Sequence, residues 1–195
     1  GAGTVVTSQR DLVCDTSGTP VCSIKVADGA TKYLTATAAP GSIFTGWTSG
    51  PCMGGTTNPC AVTNITADTT ANAAFALAYI VTPTQSGTGG TFGPATPQQV
   101  AGGSSTAFTL TPDSGKYPVI DLPASGTACI GTLSGTSAPY IYTVNPVNAD
   151  CGFTVKFVNG VKINASVAPA ANQGTISPLG DTALMAPGAT IRCSP

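Results

Sequence analysis

The residues with the most chemistry to offer in this 195-residue chain are its 7 cysteines. Cys14 and Cys22 enclose the turn-like segment Asp15-Thr16-Ser17-Gly18-Thr19-Pro20-Val21, and Cys52 and Cys60 enclose Met53-Gly54-Gly55-Thr56-Thr57-Asn58-Pro59. Both loops are short enough to staple adjacent strands or a hairpin. Cys129 and Cys151 bracket a longer segment that contains Tyr140-Ile141-Tyr142-Thr143-Val144, a good strand candidate. The spacing therefore suggests three local disulfides, each worth roughly 2.5 to 3.5 kcal/mol by loop closure if unstrained. Zinc is the rival use of these thiols, and it is disfavoured because no C-x-x-C pair and no histidine is present. Disulfides in turn imply an oxidising compartment. Cys193 is left over, and it reads either as a free thiol or as one half of a bond to another chain.

Two absences narrow the remaining chemistry. With no His, neither Ser-His-Asp nor Cys-His nucleophile pairs can form, and the commonest catalytic zinc and iron sets lose a member. With no Glu, all 8 carboxylates are Asp, and their turn contexts single out no pair for glycoside hydrolysis. Asp11 and Asp15 near Cys14 invite a calcium reading, but the segment lacks the repeated acidic loop such a site needs. The expectation is no catalytic residue, no metal and no cofactor, hence not an enzyme. Charged residues make up 8% of the chain, its formal charge is -1, and Arg10, Lys25, Lys32, Lys116, Lys156, Lys162 and Arg192 are scattered. Nucleic acid and anionic lipid surfaces are disfavoured as partners on that ground. Trp47, the single Trp, and Tyr140 with Tyr142, which alternate on one strand face near Tyr117, are the candidates for stacking on a sugar. Core packing is the preferred reading of each, because large aromatics supply much of the burial in a small sheet.

The elements that must position these residues are strands. The 24 Gly and 16 Pro interrupt nearly every stretch long enough for a helix, and Thr, Val, Ile and Ala fill the intervals between them. An all-β fold of small, disulfide-stapled modules follows. No apolar run approaches the roughly 18 residues of a membrane span. The chain lacks a charged start followed by an apolar stretch, so a secreted protein whose leader has been removed is expected. In the first module the strand candidates are Gly3 to Thr7, Ser23 to Val26, Tyr33 to Ala38, Ile43 to Thr48 and Ala71 to Leu77. Asn159-Gly160 gives a strong tight-turn signal. Asn64-Ile65-Thr66 and Asn164-Ala165-Ser166 fit the N-glycosylation pattern.

The chain also echoes itself. Ile65 to Phe75 aligns without gaps against Val147 to Phe157, and Gly90-Thr91-Phe92-Gly93-Pro94 against Gly174-Thr175-Ile176-Ser177-Pro178. The expected plan is a first module over 1–78, a second over 79–159, and a partial third over 160–195.

The run Tyr33-Leu34-Thr35-Ala36-Thr37-Ala38-Ala39-Pro40-Gly41-Ser42-Ile43-Phe44-Thr45-Gly46-Trp47-Thr48-Ser49-Gly50-Pro51-Cys52, closed by Ala73-Ala74-Phe75, resembles the divergent internalin B-repeat (InlB B-repeat) of bacterial surface and secreted proteins. The second module resembles a sister form without the Trp, in which Cys129 pairs forward with Cys151. The resemblance implies β-grasp-like or sandwich-like modules strung in series, and no catalytic residues. It leads to the expectation of an extracellular structural protein, a homo-oligomer or filament joined by strand addition through residues 160–195, with Cys193 available to bridge chains. A surface adhesin binding glycan or matrix through Trp47, Tyr140 or Tyr142 is the alternative.

Overall fold

In the computed structural model of the chain the described residues are 1–15, 22–124, 126–162 and 184–185, and among them there is no helix. Two compact units emerge, Gly1–Tyr79 with Gln99–Ser104, and Ile80–Gln98 with the residues from Ser105 onward.

The first unit is built from β1 (Gly3–Thr7), β2 (Val13–Asp15), β3 (Ala30–Ala38), β4 (Ser42–Trp47), β5 (Cys60–Ile65) and the opening residues of β6 (Ala73–Ser86). An antiparallel sheet runs in the order β2-β1-β3-β5. β4 pairs with β6, Phe44 opposite Phe75 and Trp47 opposite Ala73. Successive strand residues face opposite sides, which turns Val5, Leu34, Ala36, Cys60 and Val62 inward onto Trp47, Phe44 and Phe75. The three rings form one cluster, with centroids 5.5 Å apart for Phe44–Trp47 and 5.8 Å for Phe44–Phe75.

The second unit contains the later residues of β6, then β7 (Gly90–Gly93), β9 (Thr106–Pro112), β10 (Lys116–Asp121), β11 (Gly131–Ser134), β12 (Tyr140–Val144) and β13 (Cys151–Asn159). One sheet has the order β11-β12-β9-β7. β13 is antiparallel to β10 and parallel to β6 over Val81–Ser86. Between these layers lie Phe108, Leu110, Tyr142, Val144, Phe153 and Val155, all buried. Phe153 is the hub, 4.9 Å from both Phe108 and Tyr142. β8 (Gln98–Ala101), all but its first residue part of the first unit, pairs with β6, and the Gly102 N–H that follows it donates to the Leu77 carbonyl.

The same connectivity occurs in both units. The order β1-β3-β5 with β4 pairing β6 in the first matches β7-β9-β12 with β10 pairing β13 in the second. A shared packing detail goes with it. In each unit the first strand opens on a glycine that lets a phenylalanine of the last strand lie against its backbone, Gly3 under Phe75 and Gly90 under Phe157. A Cβ on Gly90 would stand 2.7 Å from the Thr111 carbonyl oxygen and 2.8 Å from the Phe157 ring, distances no methyl tolerates.

Two sequence expectations need correcting. Ser23 to Val26 forms no strand. In the sheet the neighbours of β3 are β1 and β5, and β1 is flanked on its other side by β2, so its alternating residues find no partner there. Asn159-Gly160 does not close a hairpin between its flanking strands. Asn159 is still paired with Lys116, the Gly160 N–H donates to the Gly115 carbonyl, and β14 (Val161–Lys162) pairs instead with β15 (Leu184–Met185). Cys193 and the other strands expected of a third module lie outside the described residues.

Candidate functional site

Each cysteine pair closes a local loop on a strand end. Cys14–Cys22, Cys52–Cys60 and Cys129–Cys151 have Cα–Cα distances of 5.2, 5.9 and 5.0 Å. The middle pair turns its loop into a clamp on Trp47. The backbone N–H of Trp47 donates to Gly55 O at 3.0 Å, its carbonyl accepts from Gly54 N at 2.9 Å, and its Nε1 donates to Thr57 O at 3.0 Å. One step further, Asn58 lends its side-chain amide to β3 as a substitute strand: Oδ1 accepts from Ala36 N at 2.9 Å and Nδ2 donates to Ala36 O at 2.6 Å. Cys60 then opens β5, with no exposed surface.

In the second unit the Cys129–Cys151 bridge is held from both sides. Cys129 N donates to Gly152 O and Gly152 N to Thr127 O, each at 3.0 Å. The Tyr142 hydroxyl donates to the Cys129 carbonyl at 2.5 Å in a buried setting. Burial pushes the Tyr142 phenol above its ordinary value. For Tyr140, burial does the same and the neighbouring Tyr117 phenol adds to it, the two rings lying 5.3 Å apart.

These placements revise the sugar-stacking candidates. Trp47 is 2% exposed, and Tyr140 and Tyr142 are each 3% exposed. None offers a ring face to a ligand, because each lies on the inward side of its strand. Their role is in the core.

Three of the described carboxylates are committed locally. Asp11 accepts from Lys32 Nζ and from Thr7 Oγ1, and these two bonds, the lysine's first, hold its carboxyl below the usual aspartate range. Asp121 pairs with Lys156. Asp150 Oδ1 accepts the Ile80 N–H at 2.7 Å, at the wall of an open cleft of about 570 Å³ that Thr82, Pro123 and Cys151 also line. Among the described residues no three His, Cys, Asp or Glu side chains gather as metal ligands, and no helix is long and apolar enough to cross a membrane. Sequence reasoning missed the Asn58 clasp and the Tyr142 anchor, since both depend on which backbone passes close in space.

Compared with known families, residues 12–78 match the model of the divergent InlB B-repeat domain. This stretch is similar to that family. The B-repeat match takes in β2 to β5, the start of β6, both short disulfides and the Trp47 core. It leaves out β1, which the sheet nevertheless holds between β2 and β3. No curated protein and no solved structure matches the chain. The disulfides fit an oxidising, extracellular setting, in keeping with the B-repeat likeness of residues 12–78.

Proposed function

We propose that this protein is a non-enzymatic structural component of a bacterial cell-surface or secreted assembly, built from tandem modules of one plan and joined head to tail through residues 160–195. The observation that supports tandem modules best is the recurrence of one connectivity together with the glycine–phenylalanine contact, Gly3 with Phe75 and Gly90 with Phe157. Gly174-Thr175 repeats the Gly90-Thr91 sequence, in keeping with a third copy of the repeat. Strand addition from one subunit into the next would satisfy open sheet edges by main-chain hydrogen bonds. A contact of this kind joins two different surfaces and so extends into a filament. Cys193 would then be placed to make the joint covalent.

The disulfides suit this role. In a chain with little charge to spare, they resist unfolding by constraining the denatured state, and they fold no reactive group into view. The test is the size of the native protein in solution and on a non-reducing gel. The expected result is a ladder of multiples that collapses on reduction and in Cys193→Ser. A single monomer band with unreacted Cys193 would refute the joint.

A further inference from the structure

We propose that the outer face of the β2-β1-β3-β5 sheet is a binding surface for a neutral polysaccharide, with Tyr33 as its stacking platform. All 12 aromatic residues of the chain lie in described segments, and Tyr33, 47% exposed, is the one that is openly exposed. It stands on β3, whose inward residues Leu34 and Ala36 fill the core, so its ring projects from the opposite side.

The register fixes its surroundings. On β3 it is flanked by Thr31, Thr35 and Thr37. Thr37 faces Thr4 on β1, and Ala61, the partner of Tyr33 on β5, is followed on that face by Thr63. Outward side chains along a strand are about 6.6 Å apart and neighbouring strands about 4.8 Å apart, so the ring sits in a lattice of hydroxyls. Val6 and Val13, opposite one another and the latter 61% exposed, add an apolar strip at the β2 side.

Charge chooses the occupant. The nearest ionisable pair, Asp11 and Lys32, is closed on itself and on Thr7 and Gln9, and Lys32 precedes Tyr33 on the strand and so faces the other way. The surface around the ring thus offers hydroxyl donors and acceptors, a π face and short apolar patches, and the register puts one carboxylate on this face, Asp15 opposite Thr4 at the β2 edge, two strands away from β3. A sugar presents the complement: C–H faces that lie on an aromatic ring and hydroxyls at its edge. Protein partners are served less well, because a stable interface needs a larger desolvated apolar centre than one ring and two valines.

The experiment measures retention of the full chain on insoluble cellulose and chitin and its retardation in gels containing xylan, mannan or polygalacturonate. Binding to at least one neutral polysaccharide, unchanged between low and high salt, is expected, with Tyr33→Ala about tenfold weaker, the loss of one desolvated aromatic contact. Thr35→Val should weaken binding in the same direction while leaving the ring in place. Trp47 emission and the melting temperature, unchanged in both variants, would show the unit intact. The proposal is overturned if no neutral polysaccharide binds, if both variants bind like the parent, or if only polygalacturonate binds and salt abolishes it. None of these failures touches the structural reading, which rests on subunit joining.

Discussion

Replacing Tyr142 by Phe removes one oxygen atom and isolates the bond that anchors the second unit's disulfide. The hydroxyl donates to the Cys129 carbonyl at 2.5 Å, Cys129 is 1% exposed and Tyr142 is 3% exposed. Water cannot replace the lost donor without opening the core, so the carbonyl keeps its desolvation cost. The expected loss is about 1–3 kcal/mol at neutral pH, while the ring contact with Phe153 survives. The pH dependence gives an independent check. Burial raises the Tyr142 phenol above its ordinary 10.0, so the folded state holds this proton more tightly than the unfolded chain does. Its contribution is complete below pH 10 and is lost as pH climbs through the folded-state value. Urea melts followed by far-ultraviolet circular dichroism between pH 7 and 11 would therefore show the parent falling toward the variant in the alkaline range. Equal stability at pH 7, or parallel pH profiles throughout, would refute the assignment of a buried, carbonyl-bound phenol.

Three further outcomes follow from the geometry. Replacing Cys52 and Cys60 together by Ala should cost about 2.5 kcal/mol by loop closure across their separation of 8 residues. Trp47 emission, shifted red at lower urea, would report it. Gly90→Ala drives a methyl into the Thr111 carbonyl and the Phe157 ring; a loss of about 1–3 kcal/mol, the usual range for overpacking, is expected in thermal melts, and an unchanged melt would contradict the close approach. Asp11→Asn tests the Lys32 contact at low pH. Because the folded-state carboxyl titrates below 3.8, its contribution is present above that value and fades as pH falls through the lower one, so the parent should lose more stability than the variant on acidification.

Local pattern made part of this fold legible. Tyr140 to Val144 alternates cleanly, and β12 has those limits. The cysteine pairs were readable because each joins cysteines that are neighbours in sequence. Long-range neighbours were not. Cys60 to Ile65 carries a buried-exposed alternation at its start, yet it is not among the strands expected from the sequence, and its pairing with β3 makes it one. β6 runs on to Ser86, beyond the expected stop at Leu77, because β13 supplies a parallel partner for its later residues. The aromatic residues illustrate the same limit: alternation shows that Tyr140 and Tyr142 share a face, but only the strand on the other side of the core decides that the face is inward. Tyr33 lay unremarked in a Thr-rich run, its exposure a consequence of where Leu34 and Ala36 had to go.

The placement of the three bridges sets how this protein would answer a pull on its two ends. Residues between Cys14 and Cys22, Cys52 and Cys60, and Cys129 and Cys151 sit behind covalent shortcuts. Each such residue withholds roughly 3.5 Å of contour when the sheets give way. Stretched as a tether, the chain would yield in short, arrested steps, and a reducing environment would let out the hidden slack.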